Sequence, residues 1–175
     1  MALMPVPGTL ETERLVLRPR RAEDAGTYRR LWVERDPRVP EHRRVDARGR
    51  PTVQDVAAGL ADQPGLLAVH LRDTGGLIGY CGLVGDESRP PDEPELAFEL
   101  LRAAHGRGYA TEAGGAVVAW ARAAGVRRLW AAVWDWNVAS RRVLEKLEFH
   151  ETGAVTAESV HGRSLLTVRH LTTDR

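Results

Sequence analysis

ELAFELLRAAHGRGYATEAGGAVVAWARAAGVRRLWAAVWDWN, residues 95–137, decides how the rest of the chain is read. Residues 95–101 alternate: Leu96, Phe98 and Leu100 point to one face, Glu95, Ala97 and Glu99 to the other. That period of two marks a half-covered strand. Gly106 and Gly108 follow, and then apolar residues at helical spacing to about Ala124. RRLWAAVWDWN (127–137) is apolar on both faces, as expected of a strand covered on both sides. Strand, glycine turn, helix, strand is an α/β unit. Glycine inside a helix costs about 1 kcal/mol against alanine, yet this helix follows a glycine turn and carries Gly114 and Gly115 as well. Close helix–sheet packing is the expected reason for those two. The turn itself has another use. A helix N-terminus presents unpaired N–H groups and partial positive charge to an anion, and glycines let the backbone approach a ligand closely. Arg107 and His105 add charge. A phosphate or pyrophosphate suits such a turn; so does a bare tight connection.

Two common phosphate loops do not match. There is no GxxxxGK[ST], and GxGxxG fails because its third glycine falls on Thr111.

Working outward, ETERLVLRP (11–19) reads as a strand with Leu15 and Leu17 on one face, ended by Pro19. Residues 22–36 read as a helix with Ala25, Tyr28, Leu31 and Trp32 at helical spacing. Residues 37–51 read as a loop or short irregular helix, and 52–63 as a helix with Thr52 as N-cap. Residues 66–73 and 76–84 form a hairpin, and 86–94 are an acidic, proline-rich connection. Residues 138–149 give a helix with Ala139, Val143 and Leu147 on one side. Two strands near 150–156 and 163–171 close the chain around His161-Gly162. The order is β, α, α, β, β, β, α, β, α, β, β. It carries no repeat or linker, so residues 1–175 are expected to form one α/β domain.

Bulk properties narrow the function. Hydrophobic residues at 43% and charged residues at 28% fit a globular chain. A net charge of +1 argues against an electrostatic nucleic-acid binder. No run of 18 apolar residues spans a membrane, and the N-terminus lacks a secretion signal. The lone cysteine, Cys81, excludes an internal disulfide framework, so a cytoplasmic setting is expected. Cys81 lies in an apolar strand and reads as buried and structural rather than as a nucleophile. The histidines show no metal-ligand spacing, so no metal is expected. Lys146 is the only lysine, so any charged anion contact should be arginine.

HGRGYA (105–110) resembles the [QR]xxGx[GA] turn of the GNAT superfamily of acyl-CoA N-acyltransferases, with His105 at the first position. ELAFELLRAAHGRGYATEA is most similar to the RimJ/RimL branch, which acetylates ribosomal-protein N-termini and has many small-molecule relatives. The branch's TERLxLRP-like strand is present at 12–19, and NVASRRVLEKLEF (137–149) resembles its NxxSxxVLEKLGF helix, with Glu148 in place of glycine. The three segments fall in order across nearly the whole chain.

This resemblance implies a single GNAT-like domain: a central, twisted, mixed and mostly antiparallel sheet, with splayed central strands and helices on both faces. It implies acetyl-CoA as co-substrate. The N–H groups of Gly106, Arg107, Gly108, Tyr109 and Ala110, with Thr111 beside them and His105 before them, would hold the CoA pyrophosphate. The pantetheine arm would run between strands 95–101 and 127–136, pairing with backbone at Leu100, Leu101 and Arg102. Asn137 would contact that arm, or simply cap its helix, and Arg141 or Arg142 would reach the adenosine phosphates. Family members are often dimers, which makes a homodimer possible here.

Acyl transfer to an amine needs a neutral amine, a donor for the tetrahedral oxyanion and a proton for the leaving thiolate. Glu95 and Glu99 share a strand face but lie about 13 Å apart, too far to act as a coupled pair. Glu95 occupies the place of the branch's strand glutamate and is the preferred base. The tyrosine that many members carry seven residues after the asparagine is Leu144 here, which makes Ser140 the candidate thiolate donor. A backbone N–H near Leu100 is the expected oxyanion donor. Trp130, Trp134 and Trp136 read as core, or as walls of the acceptor pocket. Specificity should lie in 33–50, with its six arginines, in 86–94 and in 156–163.

The expected activity is transfer of an acetyl group from acetyl-CoA directly to a primary amine, a protein N-terminus or a small molecule, in a ternary complex. A non-catalytic acyl-CoA-binding sensor, or an acyltransferase using succinyl-CoA, is the alternative.

Overall fold

The computed structural model describes residues 4–171. Eight strands form one sheet in the order β1-β2-β3-β4-β5-β6-β8-β7. They are β1 (Leu10–Glu11), β2 (Leu15–Pro19), β3 (Leu66–Leu71), β4 (Leu77–Val84), β5 (Glu95–Leu100), β6 (Arg128–Trp134), β7 (His150–Ser159) and β8 (Gly162–His170). All neighbours run antiparallel except β5 and β6.

The first strand read from sequence is in fact a hairpin. Thr12–Arg14 turn the chain back so that Leu10 faces Leu17, held by Thr12 N–H on the Leu15 carbonyl and Leu15 N–H on the Thr12 hydroxyl. Leu15 and Leu17 are fully buried, as their alternation implied.

Four α-helices cover the two faces: α1 (Ala25–Glu34), α2 (Val53–Gly59), α3 (Tyr109–Ala123) and α4 (Val138–Lys146). Single 3₁₀ turns precede α1 and follow α2, which shortens both helices relative to their apolar patterns. Thr52 caps α2 and forms a capping box with Asp55. On the α3/α4 face, Leu67, Val69, Cys81, Leu96, Val117, Leu129 and Leu144 build the main core. On the other face Tyr28 and Leu31 of α1 pack with Ala68 and Leu101.

Gly114 lies against α4 rather than against the sheet: a Cβ there would stand 2.5 Å from a Leu147 methyl. It sets the α3–α4 approach. Nothing in the structure explains Gly115. Past β6 the chain order is exchanged in space, since β8 pairs with β6 and β7 takes the edge. β7 is exposed along its whole length, so it buries no alternating face.

Candidate active site

β5 and β6 meet at a single register pair, Glu95 with Trp130. The closed end is pinned there. Trp130 N–H donates to the Pro94 carbonyl at 3.0 Å, and the buried Glu93 carboxylate accepts from Arg127, the Trp130 indole and, as an ion pair, Arg128. Beyond this point the two strands share no further ladder pair and part toward Leu100 and Trp134.

Which backbone groups face that gap follows from alternation. Leu101 N–H donates to Ile78 on the β4 side, while Pro94 serves β6. The N–H and C=O groups of Leu96, Phe98 and Leu100 therefore turn toward the gap. The Leu100 carbonyl is held by the His105 ring, Nε2 to oxygen 2.7 Å. His105 thus ties the end of β5 to the turn after it. Leu101 N–H is used by Ile78 and Arg102 N–H by the Glu34 carboxylate. Of the three residues expected to pair with an extended ligand, only Leu100 presents its backbone to the gap.

The turn itself is bare on one side. Gly106 and Gly108 take φ of +73° and +80°, conformations that favour glycine. Gly108 is the N-cap of α3 and makes no side-chain cap. The first N–H bonded back into the helix is that of Glu112, on the Gly108 carbonyl. The N–H groups of Gly106, Arg107, Gly108, Tyr109, Ala110 and Thr111 donate to no other described residue. Six consecutive free donors at the positive end of a 15-residue helix form an anion cradle, and they fit a pyrophosphate.

Arg14, which local pattern in the sequence did not single out, completes the cradle. Its guanidinium donates to the Arg107 carbonyl at 2.9 Å, pairs with Glu112 at 2.7 Å and lies 4.6 Å from the Tyr109 ring centre. Thr12 hydroxyl and Arg14 N–H also donate to Glu112. Burial acts to raise the Glu112 carboxyl, but these donors outweigh it and hold it below its usual value. Only the TERL motif carried a trace of this arrangement, because its partner lies 98 residues away.

The two strand glutamates sit in different surroundings on the α1/α2 face. Glu99 accepts two bonds from Arg35, both 2.9 Å, and one from the Tyr80 hydroxyl at 2.9 Å. Glu95 reaches across the gap to Ala132 N–H at 3.4 Å and lies 3.7 Å from Arg89. Its contacts are long and leave its oxygens accessible. Beside it the floor is low: Ala97 and the exposed Ala132 lie between larger side chains. The walls are tryptophans faced by arginines, with Arg89 and Arg128 over Trp130 and Arg38 over Trp136, which stacks on Trp134. His161, in the β7–β8 turn, bonds both segments that flank it: its ring nitrogen meets the Arg38 carbonyl and its own carbonyl accepts the Trp136 indole N–H.

At the start of α4, Asn137 caps the helix, its Oδ1 accepting from Ser140 N–H at 3.1 Å. The Ser140 hydroxyl is bonded to no other described residue. Arg141 is tied to Glu151 and to the Asp135 carbonyl, whereas Arg142 is exposed and has no ion-pair partner among the described residues. Cys81 is fully buried, and burial pushes its thiol up to about 12, which removes it as a nucleophile.

Residues 14–150 match the model of the acetyltransferase (GNAT) domain. An uncharacterized N-acetyltransferase, p20, from Bacillus licheniformis is 27% identical over 154 residues, 83% of this chain and 84% of its own. The solved acetyltransferase from Agrobacterium tumefaciens strain C58 superposes with a TM-score of 0.73 at 26% identity, over 97% of this chain and 98% of its own. A GNAT-family acetyltransferase from Bacillus anthracis shares the fold at a TM-score of 0.78 and 18% identity, over 93% and 98% of the two chains.

Proposed function

We propose that this chain, which belongs to the GNAT acetyltransferase family, moves the acetyl group of acetyl-CoA directly onto a primary amine bound beside it. N-acetyl transfer is the family's activity and acetyl-CoA its donor; the ternary complex, the acceptor class and the residue roles are our reading. The observation that carries it is the pairing of two features on one strand gap: six free N–H groups at 106–111 on one side and the lightly held Glu95 on the other.

The diphosphate would lie on the 106–111 turn, with Arg142 free to reach phosphate. The arm would enter the gap along Leu100, Phe98 and Leu96, and a gap-facing N–H of this strand would serve as oxyanion donor. Asn137, while capping α4, would keep its amide N–H groups for the arm. Glu95 would take the proton from the attacking amine as the C–N bond forms. As the C–S bond breaks, the leaving thiolate would take the Ser140 hydroxyl proton, which solvent restores. No covalent enzyme intermediate is needed when amine and thioester are held together. The acceptor would sit on the Ala97–Ala132 floor between the tryptophan walls, as either a small amine or a protein N-terminus.

Three of the six arginines of the 33–50 connection are already paired, Arg35 with Glu99, Arg38 with Asp36 and Arg50 with Asp55, which reduces the charge left for a carboxylated acyl donor. Among the described residues no helix is long and apolar enough to cross a membrane.

Calorimetric titration with acetyl-CoA, with succinyl-CoA and ATP alongside, tests the reading. One-to-one acetyl-CoA binding in the ~1 μM to 1 mM range usual for enzyme substrates, without ATP binding, is expected. Gly108→Val, which forces a β-branched residue into left-handed backbone beside Arg14, should weaken it at least about tenfold. Ser140→Ala should retain binding and lose about tenfold in turnover. Unaltered binding in Gly108→Val would remove the turn from the donor site, and binding without turnover of any amine would leave a sensor.

A further inference from the structure

Two successive peptide units of the glycine turn are held by their carbonyls. The Gly108 carbonyl accepts from Glu112 N–H at 3.0 Å, as α3 begins. The Arg107 carbonyl accepts from Arg14 Nη1 at 2.9 Å and from no other described residue. In a trans peptide the C=O and the next N–H point in opposite directions. Arg14, on one side of the 107–108 unit, therefore keeps the Gly108 N–H on the other, where it stands among the free donors of the turn.

The turn alone does not fix that orientation. Gly106 and Gly108 have φ of +73° and +80°, and glycine adopts positive and negative φ about equally readily. Rotation of the 107–108 unit, through ψ of Arg107 and φ of Gly108, would aim a carbonyl where the N–H now points. Arg14 opposes this rotation and is itself fixed. Its Nε donates to Glu112 at 2.7 Å, its backbone N–H to the same carboxylate at 2.8 Å, and its guanidinium lies 4.6 Å from the Tyr109 ring centre. Its Nη2 stands 3.3 Å from where a Cβ on Gly108 would lie, so the guanidinium backs onto that glycine. Glu112 closes the circuit: its N–H holds the Gly108 carbonyl and its carboxylate holds Arg14. Because Glu112 matches the charge of Arg14, what Arg14 adds at the turn is geometry rather than net charge.

We propose that Arg14 is a positioning residue for the acyl donor. By holding the 107–108 peptide it presents the Gly108 N–H to the CoA diphosphate, so the turn between β1 and β2, 93 residues earlier in the chain, sets the affinity for acyl-CoA. The role rests on the reading that 106–111 takes the diphosphate. Without Arg14 the peptide samples both orientations, and apparent affinity falls with the competent fraction.

Calorimetric titration of wild type, Arg14→Met and Arg14→Lys with acetyl-CoA tests the role without needing an acceptor, since it reads affinity and binding-competent fraction separately. The Arg14 side chain is 44% exposed, and lysine keeps a charge for Glu112, so Arg14→Lys should fold even where Arg14→Met is weakened. Arg14→Met should raise the Kd about tenfold, as when about a tenth of the molecules hold the competent turn, at unchanged one-to-one stoichiometry. Lysine offers a point charge rather than a fork. It cannot span Glu112 and the Arg107 carbonyl as Nε and Nη1 do, so Arg14→Lys should lie within about threefold of Arg14→Met. Wild-type affinity in Arg14→Lys would make charge the contribution and overturn the role. So would a lowered stoichiometry at unchanged Kd, the mark of a smaller folded fraction, or unaltered affinity in both variants. Failure of the wild type itself to bind acetyl-CoA would instead remove the turn from the donor site, and the role of Arg14 with it.

Discussion

The surroundings of Glu95 and Glu99 differ more than four residues on one strand face would suggest. Around Glu99 three donors close on the carboxylate, and Arg35, only 12% exposed, packs its guanidinium over Trp32. Around Glu95 the donors stand at 3.4 and 3.7 Å, next to the point where β5 and β6 separate. The first is a strut that fixes α1 to β5. The second has the freedom a proton acceptor needs. Residue type and strand face are equal in the two regions, so the partners supplied by other elements make the difference. Glu95→Gln breaks the comparison at its most sensitive point. It should lower kcat by roughly 100- to 1000-fold and leave acetyl-CoA binding within about twofold. A kcat close to wild type would return the base role to Glu99 or to water.

Glu99→Gln should show the opposite pattern. It leaves a largely buried Arg35 with a neutral partner, and breaking a buried pair costs about 3–5 kcal/mol. Since Gln keeps one acceptor and Glu99 is partly exposed, a loss of about 2–3 kcal/mol in denaturant unfolding is expected. Turnover of the folded fraction should stay within about fivefold. Loss of turnover without loss of stability would exchange the two assignments.

The sequence made one half of this contrast legible. Alternation over 95–101 placed both glutamates on one face, and the glycine spacing located the turn whose N–H groups are free, because period and glycine conformation are local properties. Ser140 at the head of α4 and the Asn137 cap were equally local. The locking of Glu99 was not legible, since Arg35 and Tyr80 arrive from the C-cap of α1 and from β4 and nothing local marks the pairing. Arg14 was missed for the same reason, and so was the His161 contact to Arg38. The hairpin hidden in 11–19 escaped because its turn, Thr12–Arg14, carries no glycine, proline or asparagine to mark it. The edge position of β7 escaped because an exposed strand carries no buried period.

A third carboxylate extends the comparison to pH. Glu112 is held by Thr12 and Arg14 beside the glycine turn, and its carboxyl lies below the usual value. A carboxyl depressed on folding contributes stability above its unfolded value, about 4.3, and that contribution is lost as pH falls through the folded value. Glu112→Gln should therefore cost about 1–2 kcal/mol near neutral pH. The gap between its melting temperature and that of the wild type should be constant from about pH 6 to 8 and close below about pH 4. A gap independent of pH would mean that shape, not charge, makes the contact.

Glu148 supplies the weakest case, a paired but exposed carboxylate. It stands where the RimL-like helix ends in glycine, and among the described residues it is the one non-glycine with positive φ, +61°. The turn around it is a helix stop that glycine usually makes: Glu148 N–H bonds the Glu145 carbonyl and Phe149 N–H bonds that of Leu144. Left-handed backbone costs a side-chain-bearing residue about 1–2 kcal/mol. In return Glu148 gains an ion pair with Arg169, but its own side chain is 72% exposed, and pairs exposed on one side contribute about 0–1 kcal/mol. Relief of strain should outweigh the lost pair, so Glu148→Gly is expected to stabilise the fold by about 0.5–1 kcal/mol in denaturant unfolding, with turnover unchanged. A loss of stability would show that the Arg169 pair holds the end of α4 on β8 more firmly than its exposure implies. Arginine pairing would then matter as much at this rim as it does between Arg35 and Glu99.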